Sequence, residues 1–282
     1  MNKAINPQGY GLVKAKLHLM QYYQPFFAPL VGQPINLLEL GIFKGASLRF
    51  WRDYFESANI VGLDCRPPVK VDDPNGKIHI YQGYQQDIQL LDQIAKEQAP
   101  DGFDVVIDDC SHYGRLARIS FWHLFQNHLK PGGLYAIEDW RTGYGRFWPD
   151  GKGYRPKSRL KYTLYERLLD SLSNSLSSSL RNFPRLSKIR PKLFVHSKIP
   201  SHTYGMVGFV KELLDAYALG GKAIPRSGKG RYFDYGISHL YINPKVIIVS
   251  KSKEKDVNKF DASLSKDGDF TLSARRLISE ED

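Results

Sequence analysis

Cysteine is scarce in this sequence: Cys65 and Cys110 are the two it has among 282 residues. Two thiols cannot build a disulfide framework, so a reducing compartment is expected. Long apolar runs are missing as well. Runs such as Val246 to Val249 fall far short of the roughly 20 residues that a membrane helix needs, and no secretory pattern of basic start, apolar middle and small-residue cleavage site is present. A cytoplasmic protein with no membrane span is the expectation. Acidic residues are outnumbered, 29 against 40 basic, for a net charge of +11. That excess is local. Residues 1–140 carry 13 basic and 15 acidic side chains, 141–198 carry 14 and 3, and 199–282 carry 13 and 11. A nucleic-acid surface spread over the fold is therefore disfavoured. Core material is plentiful, with 42% apolar and 13% aromatic residues, which suits one large domain or a core with an appendage and excludes general disorder.

The pattern along the chain alternates strand and helix. Gly11 to Tyr23 is helix-compatible, with Pro25 and Pro29 expected to close it. Ile35 to Gly41 is a short apolar run ending in glycine, followed by Leu48, Trp51, Arg52 and Phe55 at helical spacing. Asn59–Asp64 and Lys77–Tyr81 read as strands, Ile88–Glu97 as an amphipathic helix, Phe103–Asp109 as a strand and Leu116–Leu129 as a helix. After a turn at Lys130-Pro131-Gly132, Gly133–Asp139 is a fifth strand. Five apolar strands alternating with helices predict a parallel sheet covered on both faces. Residues 141–198 break the rhythm with Gly, Pro, Ser and basic residues. Helix is expected around Leu160 to Leu172, and the Ser-rich stretch Ser171–Ser179 is compatible with helix or disorder. A helix at Phe209–Leu219 and a hairpin turning at Asn243-Pro244 then complete the sheet, and the charged tail from Ser252 is expected to be loosely held.

Ligands of such sheets sit beyond the carboxyl ends of the strands, where this sequence gathers acids. Glu39 and Gly41 end the first strand and Asp64 the second; Gln85 and Asp87 follow the third; Asp108 and Asp109 end the fourth; Glu138 and Asp139 end the fifth. Gly41 and Gly45, four apart at a strand-to-helix turn, allow close backbone approach without forming the G-x-G-x-x-G dinucleotide pattern. An acid ahead of that turn repels a pyrophosphate but suits a sulfonium or amino group, and Asp64 suits a ribose diol. Together they favour S-adenosylmethionine over NAD. The simpler reading of the same residues is a turn and a set of helix caps.

The segments LLELGIFKGASLRFWRDYF, IVGLD, YQGYQQD, FDVVIDDCSH and LKPGGLYAIEDW together resemble the metal-dependent class I methyltransferases that act on sugar hydroxyls of natural products. The macrolide-sugar and rhamnosyl O-methyltransferases are the nearest relatives, and a cephalosporin-hydroxylase-like protein shares the motifs. The resemblance runs from about Lys14 to Trp140. It implies an α/β, Rossmann-like class I methyltransferase fold: a mostly parallel seven-stranded sheet with an antiparallel last strand, plus a basic lid insertion after strand five. The expected organisation is a helical segment at 1–34, a cofactor- and metal-binding core at 35–140, an insertion at 141–205, closing elements at 206–251 and a tail at 252–282.

The resemblance further implies an S-adenosylmethionine site from Glu39, Gly41, Gly45, Ser47, Asp64, Gln85, Asp87 and Asp108. It implies Mg²⁺ on Asp109, Glu138 and Asp139, with His112 as general base and Asp109 also counted as catalytic. The chemistry of the residues agrees: carboxylates from adjacent strand ends suit a hard cation, and His112 starts the next helix. Two departures stand out. The family's G-D-Q after strand three is Gly83-Tyr84-Gln85, so its acid is replaced by Tyr84 or shifted to Asp87, and Cys110 replaces the glycine before Ser-His. The expected partner is a hydroxylated or glycosylated small molecule bearing a vicinal diol, and the family implies a homo-oligomer. The insertion's Tyr144, Phe147, Trp148, Tyr154, Tyr162 and Tyr165 fit a lid over a sugar or an anion as well as they fit a solvated flap, and His202 and Tyr204 follow it. An RNA methyltransferase and a non-catalytic cofactor-binding protein are the competing readings.

Overall fold

The computed structural model describes residues 7–12, 14–68, 70–152, 154, 202–219 and 234–253. Most of the basic insertion and of the tail, including the helix expected around Leu160 to Leu172 and the Ser-rich stretch, lies outside them.

Seven strands form one sheet in the order β3-β2-β1-β4-β5-β7-β6: β1 (Asn36–Leu40), β2 (Asn59–Asp64), β3 (Ile78–Gln82), β4 (Phe103–Asp108), β5 (Leu129–Glu138), β6 (Ile237–Ile242) and β7 (Val246–Lys251). The first five pair in parallel. β7 enters between β5 and β6, antiparallel to both. Helices α1 (Lys14–Phe27) and α2 (Ala46–Phe55) cover one face; α3 (Ile88–Gln98), α4 (Gly114–Asn127) and α5 (Gly205–Leu219) cover the other. The alternation of strand side chains makes two cores from one sheet. Leu38, Leu40, Val106, Tyr135 and Ile137 pack towards α3, α4 and α5. Leu37, Val105, Ile107 and Ala136 pack towards α1 and α2.

The second core is rich in rings. Trp51 is fully buried, with Tyr23, Phe27 and Phe50 at centroid distances of 5.7, 5.6 and 5.0 Å. This packing carries α1 beyond the expected stop: Pro25 lies inside the helix, which ends at Phe27. A proline forfeits one helical hydrogen bond, and burial of Phe27 offsets that loss. The fifth strand also begins earlier than expected. Pro131 and Gly132 lie inside β5 rather than in a turn before it, and the pairing with β4 shifts register between Phe103 and Val105, as a bulge accommodates a proline that cannot donate to the ladder. The C-terminal end of α4 is closed from the sheet, since Lys251 at the end of β7 donates Nζ to the carbonyls of Phe125, Gln126 and Leu129 at 2.6, 3.1 and 2.7 Å. Among the described residues no helix is long and apolar enough to cross a membrane.

Candidate functional site

Register brings four strand ends level. Leu40 pairs with Leu63 and with Asp108, and Asp108 pairs with Ile137. The next residue of each strand, Gly41, Asp64, Asp109 and Glu138, therefore leaves the sheet along one rim. The two-residue period then separates acids that are neighbours in sequence. Asp108 turns to the α4 side, and Glu39 and Glu138 turn to the α1 side.

On the α4 side Asp108 is buried in a polar network. Gln85 Nε2 donates to its two oxygens at 3.2 and 3.0 Å, Ser120 Oγ at 3.3 Å and the Cys110 N–H at 3.3 Å. Gln85 Oε1 accepts the Ser111 N–H at 3.0 Å. Burial pushes the Asp108 carboxyl up to about 7 against the pull of these hydrogen bonds. Burial also pushes the Cys110 thiol up, so it stands as a neutral packing group. Gln85 and Asp108, expected at the cofactor, thus face each other and hold the loop that leads into His112.

On the α1 side the Tyr23 hydroxyl donates to Glu138 Oε1 at 2.6 Å. Burial first, then the charges of Glu138, Asp109 and Glu39, hold this phenol well above its ordinary range, so it keeps its proton. Glu39 is itself fully buried.

At the rim, Asp109, His112 and Asp139 converge: one ligand atom from each lies within 4.8 Å of the others, and His112 Nε2 stands 3.8 Å from Asp109 Oδ1. Glu138, expected with Asp109 and Asp139, ends β5 on the α1 side, where one of its oxygens accepts from Tyr23, and the 4.8 Å group does not include it. His112 and Asp139 adopt left-handed backbone, with φ of 51° and 49°. That region disfavours residues other than glycine by an amount on the order of 1 kcal/mol or more, and it clusters at functional sites. Thr142 Oγ1 donates to the His112 carbonyl at 3.3 Å, and the Trp148 ring meets the imidazole edge-on at 5.4 Å.

The neighbouring loop is tied to the same rim. Asp64 Oδ2 accepts the N–H groups of Ile42 and Phe43, both at 3.0 Å, while Oδ1 accepts that of Arg66 at 2.8 Å. Gly41 is required here: its φ is 83° and a Cβ would stand 2.3 Å from the Asp109 carbonyl oxygen. Gly45 precedes α2, and Ser47 is buried in the first turn of that helix. Asp87 is committed elsewhere, since its Oδ1 accepts the Leu90 N–H at 3.1 Å and caps α3. Phe43 in this loop and Tyr84 after β3 are 72% and 64% exposed.

Three contributors were not anticipated from the sequence as parts of the site. Tyr23 had no local signal beyond the ring density of α1. Asp150, one of three acids in the basic segment, accepts the N–H groups of Gly114 and Met206, both at 2.7 Å. It thus serves the first turns of α4 and α5 together, and Gly114 permits this because a Cβ there would stand 2.1 Å from the Gly205 carbonyl carbon. Thr142 is the third. His202, in contrast, is buried and spends Nε2 on the Gly143 carbonyl at 2.6 Å, which makes it a fastener of the 140–154 segment.

No protein-family model matches the chain. Among curated proteins, the mycinamicin VI 2''-O-methyltransferase of Micromonospora griseorubida is 34% identical over 201 residues, 68% of this chain and 47% of that protein. A tetracenomycin-C rhamnosyl 3'-O-methyltransferase of Streptomyces olivaceus is 38% identical over 157 residues, 53% of this chain and 39% of that protein. The chain thus spans less than half the length of these relatives. Among solved structures, the MycE methyltransferase of the mycinamycin biosynthetic pathway in complex with Mg and SAH aligns with a TM-score of 0.59 and 25% identity over 100% of this chain and 61% of that one. The fold is the Rossmann-like class I methyltransferase fold. A further MycE complex, with Mg, SAH and mycinamycin VI, aligns with a TM-score of 0.58 over 90% of this chain.

Proposed function

We propose that this chain is an S-adenosylmethionine- and Mg²⁺-dependent O-methyltransferase that methylates a sugar hydroxyl of a glycosylated natural product, one of a vicinal diol. The observation that carries the reading is the convergence of Asp109, His112 and Asp139 on strained backbone, beside a glycine turn held by Asp64. The donor chemistry fits a hard cation: two carboxylates and an imidazole lie within 4.8 Å, with a third carboxylate, Glu138, adjacent in the chain. Asp109, Glu138 and Asp139 would hold Mg²⁺, and the loop Gly41–Gly45 with Asp64 would hold the cofactor. When bound, S-adenosylmethionine supplies an electrophilic methyl and Mg²⁺ supplies Lewis acidity.

With donor and acceptor in place, His112 would take the acceptor hydroxyl's proton at a ring nitrogen. Asp109, 3.8 Å from Nε2, stabilises the resulting imidazolium. Gln85 and Ser120 fix Asp108, and through Ser111 they fix the approach of the His112 backbone. Trp148, packed on the imidazole, limits its rotation and shields one side from water. Orientation is the main service of such a site, because displacement at a methyl carbon depends on alignment of the reacting atoms.

The test begins with binding of S-adenosylhomocysteine to the purified protein by calorimetry. Methyl transfer to rhamnosylated and macrolide-sugar acceptors is then followed with and without EDTA. Tight binding and EDTA-sensitive turnover are expected; absence of binding overturns the cofactor assignment, and turnover indifferent to EDTA overturns the metal.

A further inference from the structure

A second cluster of ligating side chains lies at the opposite end of the sheet. Asp92 projects from α3, His123 from the last turn of α4, and His128 from the residue that closes α4. Both imidazoles direct Nε2 at one oxygen, Asp92 Oδ1, at 2.7 and 2.6 Å, and the ring centroids are 5.2 Å apart. One ligand atom from each of the three lies within 4.8 Å of the others. The backbone beneath them is fixed on both sides. The His128 N–H donates to the Leu124 carbonyl at 2.9 Å, and its carbonyl accepts the Phe103 N–H at the start of β4 at 2.7 Å. Asn127 Nδ2 donates to the His123 carbonyl at 3.0 Å. The histidine side chains are mostly covered, at 16% and 20% exposure, while Asp92 is 54% exposed, which leaves a way in from solvent.

We propose that Asp92, His123 and His128 form a binding site for a zinc-class divalent transition ion, separate from the rim of Asp109 and Asp139. The chemistry discriminates between cations. Two imidazole nitrogens and one carboxylate oxygen match the donor preference of Zn²⁺, Co²⁺ and Ni²⁺, with positions left for water, whereas Mg²⁺ takes oxygen donors. Sited on rigid elements with fixed backbone, the ligands pay little to assemble. The ion would take the Nε2 lone pair of each neutral imidazole, with each ring's single proton on Nδ1. It clamps α3 to the junction of α4 and β5, so the site's effect is on stability rather than on turnover.

The experiment is a titration of ZnCl₂ into the full chain in excess Mg²⁺, read by calorimetry and by thermal unfolding, with Asp109→Asn run in parallel to identify any zinc held at the rim. One Zn²⁺ per chain and a raised melting temperature are expected. His123→Gln and His128→Gln should each weaken binding by roughly 100-fold, since loss of a direct ligand exceeds the roughly 10- to 100-fold loss seen when only a ligand's outer partner is removed. Asp109→Asn should leave the Zn²⁺ isotherm unchanged. No zinc heat in the wild type, equal affinity in the histidine variants, or loss confined to Asp109→Asn would each overturn the site. Asp92→Asn, on an exposed helix position, answers the same question if a histidine variant does not fold.

Discussion

Two clusters of aspartate and histidine occupy opposite ends of one sheet, and the backbone beneath them differs. At the rim, His112 and Asp139 sit in left-handed conformations directly after β4 and β5. At the other end, Asp92 and His123 sit within helices; among the described residues the remaining non-glycine positions with positive φ are Phe43, in the loop after β1, and Glu56, at the end of α2. Left-handed backbone costs free energy that the surrounding packing must offset, and here the offset is visible in Thr142 beneath His112 and in Asp150 across the two helix starts. The relaxed cluster needs no such support. The difference fits the roles proposed for them, the rim positioning reacting groups and the helical cluster holding two elements together.

The largest effect expected from breaking this contrast is at Asp109 and Asp139. Asp109→Asn or Asp139→Asn should lower turnover by about 10⁴-fold, the rate equivalent of the several kcal/mol that a cation's charge supplies, measured at saturating donor with the fold checked by circular dichroism. Next comes His112→Gln, expected to cost about 10²- to 10³-fold through loss of the general base while leaving the affinity for S-adenosylhomocysteine in place. If His123→Gln lowers turnover as much as His112→Gln does, the contrast between the clusters fails.

A third substitution probes the support rather than the chemistry. Asp150→Ala strips an acceptor from two helix N-termini and should destabilise the chain by about 1–3 kcal/mol, read as a shift in the denaturant midpoint. The smallest effect belongs to Tyr23→Phe. Removing one hydroxyl from Glu138 should raise the Mg²⁺ concentration for half-maximal turnover by a few-fold, with little change in kcat at saturating Mg²⁺. An unchanged Mg²⁺ requirement would make Tyr23 a packing residue alone.

Much of the architecture was legible in the residues. Alternating apolar runs and amphipathic segments announce a doubly covered parallel sheet, because a strand buried on both faces has to be apolar throughout. The termination of those runs in Glu, Asp and Gly announces a polar rim, since strand ends are where side chains regain access to a ligand. Boundaries were less legible. Pro25 and the Pro131-Gly132 pair carry local signals for a break, yet packing of Phe27 and pairing of β5 keep the elements intact through them.

The partner of each acid was not legible at all. Asp108 and Asp109, or Glu138 and Asp139, are indistinguishable as neighbours in a string of letters. The sequence by itself determined the sheet, the rim and the types of group along it, since these follow from local periodicity and from where apolar runs stop. Only the tertiary structure decided which carboxylate meets Gln85, which meets Tyr23 and which stand beside His112. The pleat sends successive side chains to opposite faces, where Gln85 and α4's Ser120 meet Asp108 and Tyr23 of α1 meets Glu138, across 12 to 115 positions of chain.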